Sequence, residues 1–188
     1  MVIGHRGMGK NHSEIPENTV PSLVDAYKEG ADAVEFDVQL TSDSEVVLLH
    51  DPLLDRTTGG NGCVAELPLH EVRKLRVRNG ARKFPPGVGI PTLAEVLSAI
   101  QAFDHPDKPF FANIHIKVFD GFKGYWAGWT NRCPKTVHRR LTDSVYRIVR
   151  SMGLQRRVLF TSFDPRIPRT WNWPDGLISD QPELLSRH

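Results

Sequence analysis

The chain has 188 residues, 39% of them hydrophobic, which is enough to bury one core. With 24 basic and 22 acidic residues the net charge is +2, which excludes the strong positive field of a dedicated nucleic-acid binder. No apolar run approaches the ~18 residues a membrane span needs, and the chain passes almost directly from Met1 into His5, so a cytoplasmic protein is expected.

Val2 to His5 reads as a short buried strand ending in Arg6-Gly7-Met8-Gly9. A His–Arg pair at such an exit suits an anionic ester: Arg binds phosphate oxygens and His moves protons near neutral pH. A turn with incidental polar residues is the competing reading. Asn11 to Asn18 is polar loop, and Thr19 caps a helix predicted through Gly30, with Val20, Leu23, Val24, Tyr27 and Ala31 on one face.

Val34 to Leu40 follows, with Val34, Phe36, Val38 and Leu40 alternating with Glu35, Asp37 and Gln39. That period of two is a strand, and it points two carboxylates the same way. Side by side on a mostly apolar strand they repel and lose hydration, so a divalent cation such as Mg²⁺ or Ca²⁺ is the natural compensation. A wet second face that merely solvates both acids is the alternative. Strand, loop, helix, strand in this order is a βα unit of a parallel sheet.

Val46 to Leu49 reads as a third, fully buried strand with His50-Asp51 at its exit, followed by a turn-rich loop over 57–62. The two cysteines, Cys63 and Cys133, have neither metal-ligand spacing nor the numbers of a disulfide framework, and read as free thiols. Leu67 to Leu75 is predicted as a short helix with a solvated His70. Thr92 and Glu95 form a capping box opening a helix with Leu93, Val96, Leu97 and Ile100 buried.

Phe110 to Lys117 is the fourth strand, with Asn113, His115 and Lys117 on one face and Ile114 and Ile116 on the other. His115 is either a structural residue or a ligand. Phe119 to Trp129 interleaves aromatics with Gly121, Gly124 and Gly128, either a cover over the site or a loop packed on the body or facing a partner. Lys135 to Met152 is the longest predicted helix, with Arg139, Arg140, Arg147 and Arg150 on its solvated face. Val158 to Phe163 and Leu177 to Asp180 are the last two strands, and Pro182 to Leu185 closes as a half-turn.

The ordered series His5-Arg6-Gly7, Glu17-Asn18-Thr19, Glu35-Phe36-Asp37-Val38, His50-Asp51, Ile90-Pro91-Thr92-Leu93, Thr161-Ser162-Phe163-Asp164 and Leu177 to Pro182 resembles the glycerophosphodiester phosphodiesterases. The first part looks most like members acting on deacylated phospholipids such as glycerophosphocholine. The resemblance implies an α/β fold of the (β/α)₈ TIM-barrel type with its site at the C-terminal ends of the strands, where His5, Asp37, His50 and Lys117 are expected. It implies His5 and His50 as general acid and base, Glu35 and Asp37 as ligands of a divalent cation, and Arg6 and Lys117 on phosphate. The family's third carboxylate ligand stands where this chain has His115, in a motif that usually reads Ile-Glu-Ile-Lys. Neutral imidazole there lowers affinity for Mg²⁺ or Ca²⁺ or shifts preference toward Mn²⁺ or Zn²⁺.

The expected barrel is also short. Six strands are predicted, and only Asp164 to Gly176, with Pro165, Pro168 and Pro174, lies between the last two. About two βα units are missing between residues 164 and 176, since one βαβ unit takes ~30 residues; Thr170 to Asn172 reads as a strand remnant. Residues 1–188 are thus expected to form one incomplete barrel domain with a small-molecule glycerophosphodiester as its partner, and neither nucleic acid nor a transmembrane segment. The competing expectation is a truncated, catalytically impaired relative that binds a phosphodiester or a protein.

Overall fold

The computed structural model describes residues 2–9, 15–78, 86–103, 109–119, 132–134, 138–164 and 167. The expected cover over 120–129, the strand remnant at 170–172, the strand at 177–180 and the terminal half-turn lie outside them.

Strands β1 (Ile3–His5), β2 (Ala33–Leu40), β4 (Phe111–Ile116) and β5 (Val158–Thr161) run parallel in the order β1-β2-β4-β5. Strand β3 (Val46–Leu48) joins β2 from the side. Helices α1 (Val20–Lys28), α3 (Leu93–Ala102) and α4 (His138–Ser151) cover one face of the sheet, and α2 (Leu69–Val72) is a single turn. This is the α/β, TIM-barrel type of architecture, with β1 and β5 at opposite ends of the strand path and the barrel unclosed among the described residues.

The pattern of two in β2 sorts the molecule. Val34, Phe36, Val38 and Leu40 enter the main core with Ile114 and Ile116 of β4, Leu23 and Ala26 of α1, Leu93, Val96, Leu97 and Ile100 of α3, and Leu141, Val145 and Val149 of α4. Glu35, Asp37 and Gln39 point to the opposite, inner face. The helices start where the local chemistry says they should. Thr19 caps α1 through the Ser22 amide, and Thr92 and Glu95 complete the reciprocal capping box of α3. His70 is exposed, as are Arg139, Arg140, Arg147 and Arg150 along α4.

The structure departs from two of these expectations. β3 pairs antiparallel with β2, Leu40 opposite Val46 and Val38 opposite Leu48, so His50 does not lie at the C-terminal end of a parallel strand. Only residues 41–45 separate the two strands. A parallel return needs a crossover of roughly a dozen residues, whereas a hairpin needs two to five. The turn is set by the Thr41 hydroxyl, which accepts from the Glu45 amide at 3.0 Å, and by Ser44 at φ 69°. Second, Cys63 and Cys133 are not free thiols: they form a disulfide, Cα atoms 5.6 Å apart across 70 residues of sequence. The 3-10 turn Val64–Glu66 follows Cys63, and the Val64 amide bonds to Pro52 O at 3.1 Å. Two isolated cysteines carry no sequence signal for this, because only the fold brings 132–134 to that loop. No described helix is long and apolar enough to cross a membrane.

Candidate active site

The inner face is built by register. His5 sits opposite Glu35, Glu35 opposite Asn113, Asp37 opposite His115, and His115 opposite Thr161. Parallel pairing places these side chains on one face. Lys117 continues the row, its amide bonding to Val38 O at 3.1 Å.

Arg6 leaves β1 in the left-handed region at φ 55°, and Gly7 follows at φ 85°. A Cβ on Gly7 would lie 2.6 Å from the Ser22 backbone, so only glycine lets this turn pack on α1. The conformation turns the Arg6 amide onto Glu35 Oε2 at 3.1 Å and its guanidinium onto Glu17 Oε1 at 2.9 Å, with an ion pair to Asp37 at 3.4 Å. A non-glycine residue held at positive φ marks a position fixed by its surroundings.

Asp37 is 2% exposed and is met by cations and an amide. Lys117 Nζ is 3.0 Å from Oδ1, and Asn18 Nδ2 donates to Oδ2 at 2.9 Å while its Oδ1 accepts from the Asp37 amide. Burial works against the charged form, but Lys117, His50, Asn18 and Arg6 outweigh it and hold the carboxyl below its usual range. Glu35 goes the other way. Burial, and then the charge of Asp37, push it up to about 7. Of the two acids, it is therefore Glu35 whose charge lacks compensation.

His115 is 8% exposed. Its Nδ1 meets Thr161 Oγ1 at 3.1 Å, and the same hydroxyl donates to Asn113 Oδ1 at 3.1 Å. With its one proton committed to Asn113, the hydroxyl accepts from Nδ1–H, which leaves a lone pair on Nε2. That atom is buried without a hydrogen-bond partner among the described residues. Burial first, and then Lys117, push the imidazole down to about 3, so it is neutral. Beside it lies a cavity of about 140 Å³, lined by Ile116, Lys117, Val118, Phe119 and Phe163 among others. The Phe163 ring stands 4.8 Å from the His115 ring and 5.6 Å from Lys117 Nζ.

The hairpin delivers His50 from the other side. Leu49 N bonds to Asp37 O at 3.1 Å, and Gln39 Nε2 holds the carbonyls of Leu49 and Asp51 at 2.7 and 2.8 Å. His50 Nδ1 lies 2.5 Å from Asp51 Oδ1. Asp51 Oδ2 takes Arg56 Nε, and Arg56 also reaches Glu17 Oε1 at 2.6 Å. Across the strands, His5 Nε2 is 3.8 Å from Glu35 Oε2, and burial and Arg6 lower its proton affinity.

The structure thus brings His5, Arg6, Glu35, Asp37, His50, His115 and Lys117 to one region. Sequence reasoning assigned no role to Glu17, Asn18, Gln39, Asp51 or Arg56. The one signal for Gln39 was its place in the Glu35-Asp37 alternation, whereas Glu17 and Arg56 meet only through the fold.

As a donor set, Glu35, Asp37 and His115 suit a divalent cation, which would relieve the undercompensated Glu35 and take the Nε2 lone pair. Among the described residues no three such side chains already converge on one point. Chemically the region offers three imidazoles, two cations and a carboxylate pair, the equipment for binding a phosphate ester and moving a proton.

A parallel α/β sheet of barrel type with such a row at its inner face defines the class: a barrel-type protein with a site suited to an anionic ester. The sequence model of the "Glycerophosphoryl diester phosphodiesterase family" matches residues 5–171, and the chain belongs to that family. A glycerophosphodiester phosphodiesterase of Caldanaerobacter subterraneus subsp. tengcongensis is 36% identical over 166 residues, 87% of this chain and 58% of that protein. Among solved structures, an Oleispira antarctica phosphodiesterase in complex with the product sn-glycerol-3-phosphate superposes with a TM-score of 0.69 at 26% identity, over 95% of this chain and 64% of that one. A glycerophosphodiester phosphodiesterase from Agrobacterium tumefaciens gives 0.65 at 26% identity, over 89% and 60%. The chain spans less than two thirds of the length of each.

Proposed function

We propose that this chain, as one barrel-type domain, hydrolyses glycerophosphodiesters such as glycerophosphocholine to glycerol 3-phosphate and an alcohol, in the turnover of deacylated lipids. The observation that carries the reading is the inner row itself: a His–Glu pair on β1 and β2 and a His–Asp pair on the hairpin flank Arg6 and Lys117.

Arg6 and Lys117 gather the phosphate oxygens and neutralise charge that grows in the transition state. His5 and His50 between them take one proton from the attacking oxygen as it bonds to phosphorus and give one to the leaving alcohol as the other phosphorus–oxygen bond breaks; water is that attacker, or it opens the cyclic phosphate left by attack of the substrate's own neighbouring hydroxyl, so that one water is consumed overall. Asp51 holds the His50 ring through Nδ1. Glu35, Asp37 and His115 would hold a divalent cation, which supplies Lewis-acid polarisation of a phosphoryl oxygen when bound. The imidazole in that set supports Mn²⁺ over Mg²⁺ or Ca²⁺. The apolar wall beside Phe163 supports seating of the organic alcohol.

The disulfide supports an oxidising compartment in place of the cytoplasmic location expected from the sequence, because such bonds are rare in the cytosol. Thiol alkylation followed by mass measurement of protein from its native source checks this. A bridged pair supports it, and two alkylated cysteines overturn it.

The test of the activity is glycerol 3-phosphate release from glycerophosphocholine, with Mn²⁺, Mg²⁺ and Ca²⁺ in turn. Release in the parent that falls by about 100-fold or more in His50→Ala supports the reading. Folded parent protein that releases nothing with any ion sinks it. Rescue of a silent parent by His115→Glu would place the fault in the cation set and favour an impaired relative.

A further inference from the structure

Arg56 stands outside every role assigned so far, yet it joins the two halves of the site. Its Nε donates to Asp51 Oδ2, whose other oxygen lies 2.5 Å from His50 Nδ1. Its Nη2 donates to Glu17 Oε1 at 2.6 Å, and that same oxygen accepts from Arg6 Nη1 at 2.9 Å. The result is a run of alternating charge: His50, Asp51, Arg56, Glu17, Arg6, Asp37. Both carboxylates that Arg56 touches are buried, Asp51 at 2% and Glu17 at 6% exposed, whereas the Arg56 side chain is 38% exposed. The planar fork of a guanidinium can serve two carboxylates in fixed directions at once; an ammonium on a flexible stem cannot.

We propose that Arg56 is a positioning residue: by gripping Asp51 Oδ2 it locks the Asp51 carboxylate, and so fixes the proton of His50 on Nδ1 and aims the ring, while its second arm registers that unit to Arg6 through Glu17. Without Arg56 the Asp51 carboxylate can rotate, and its buried charge loses a cation. A carboxyl that takes up a proton becomes a donor to Nδ1 and drives the imidazole proton to Nε2. The tautomer reverses and the ring loses its direction. Burial alone would raise the Asp51 carboxyl, and its hydrogen bonds to His50 and Arg56 bring it below its usual range instead, in line with the geometry.

The role rests on the phosphodiesterase reading only for its kinetic arm. The first arm needs no substrate. Two-bond proton–nitrogen correlation on the ¹⁵N-labelled full chain reads the ring nitrogens of His50, assigned by loss of its signals in His50→Gln. The parent is expected to show the Nδ1–H form. Arg56→Met is expected to move the population toward Nε2–H, and Arg56→Lys, which keeps the charge, to give an intermediate mixture. An unchanged tautomer in both folded variants overturns the proposal.

The second arm is a double-mutant cycle read by glycerol 3-phosphate release. Arg56→Met is expected to lower kcat by about 100-fold, within the range of lost acid–base catalysis, with KM within about threefold. In an Asp51→Asn background the same substitution should cost less than about threefold, because Arg56 acts on His50 through Asp51. Fully additive losses would overturn the proposal. A parent that turns over no glycerophosphodiester counts against the phosphodiesterase reading, and the tautomer then decides the role of Arg56 alone.

Discussion

The two faces of β2 are opposites. Outward, Phe36 and Val38 have no exposed surface and sit among aliphatic side chains from three helices. Inward, Glu35 and Asp37 lie beside Arg6, Lys117 and His115, with a charge on one acid that its neighbours do not fully balance. The outer face is what a sheet needs in order to fold. Once pH has risen past about 7 the inner face gains nothing for folding from Glu35, since burial and the charge of Asp37 disfavour its ionised form. On the proposed reading one face of a single strand serves stability and the other chemistry, and perturbing each should give opposite signatures.

The largest effect belongs to the outer face. Phe36→Ala leaves a cavity between β2 and the helices and should cost about 3–5 kcal/mol, read as a fall in the urea midpoint. A hydrophobic substitution of matched size, Phe36→Leu, should recover much of it. Next comes the staple that lies outside both faces. Reducing the Cys63–Cys133 bridge, or Cys63→Ser with Cys133→Ser, should lower stability by about 2–4 kcal/mol, because a 70-residue separation leaves a large loop unconstrained in the unfolded chain. Equal midpoints with and without reductant would show that the bridge adds nothing.

The smaller effects sharpen the inner face. Glu35 has a folded proton affinity raised from 4.5 to about 7, so the folded state binds the proton more tightly than the unfolded one. Its contribution to stability is present below about 4.5 and lost as pH rises through about 7. Glu17 and Asp51 have lowered values with the opposite sign: their stabilisation is present above their unfolded values and lost as pH falls through the folded ones. His115, pushed down to about 3, and His5, also lowered, act against Glu35 in the same window, because the stability of a neutral imidazole is lost as pH falls below its unfolded value near 6.5. Without added cation, Glu35→Gln should therefore lose melting temperature more steeply than the parent as pH falls from 7 toward 5, because only the opposing histidines remain. A slope unchanged in Glu35→Gln would show that Glu35 does not titrate in this window.

Much of this was legible in the sequence because periodicity and capping are local. The alternation through β2, the Thr92–Glu95 capping box and the row Asn113-His115-Lys117 were all readable from spacing. The direction of β3 was readable too, since residues 41–45 are too few for a crossover, but a buried apolar run alone does not reveal its direction. The disulfide and the Glu17–Arg56–Asp51 run were not legible. Their members are 70 and 39 residues apart in sequence, and neither pairing leaves a periodic or compositional trace.

The contrast between the faces is tested most directly by measuring turnover and the urea midpoint on one preparation of Glu35→Gln. The account predicts that glycerol 3-phosphate release falls by about 100-fold or more while the midpoint at pH 8 without added cation stays level or rises. A fall in the midpoint with turnover retained would contradict it, and would make Glu35 a structural residue.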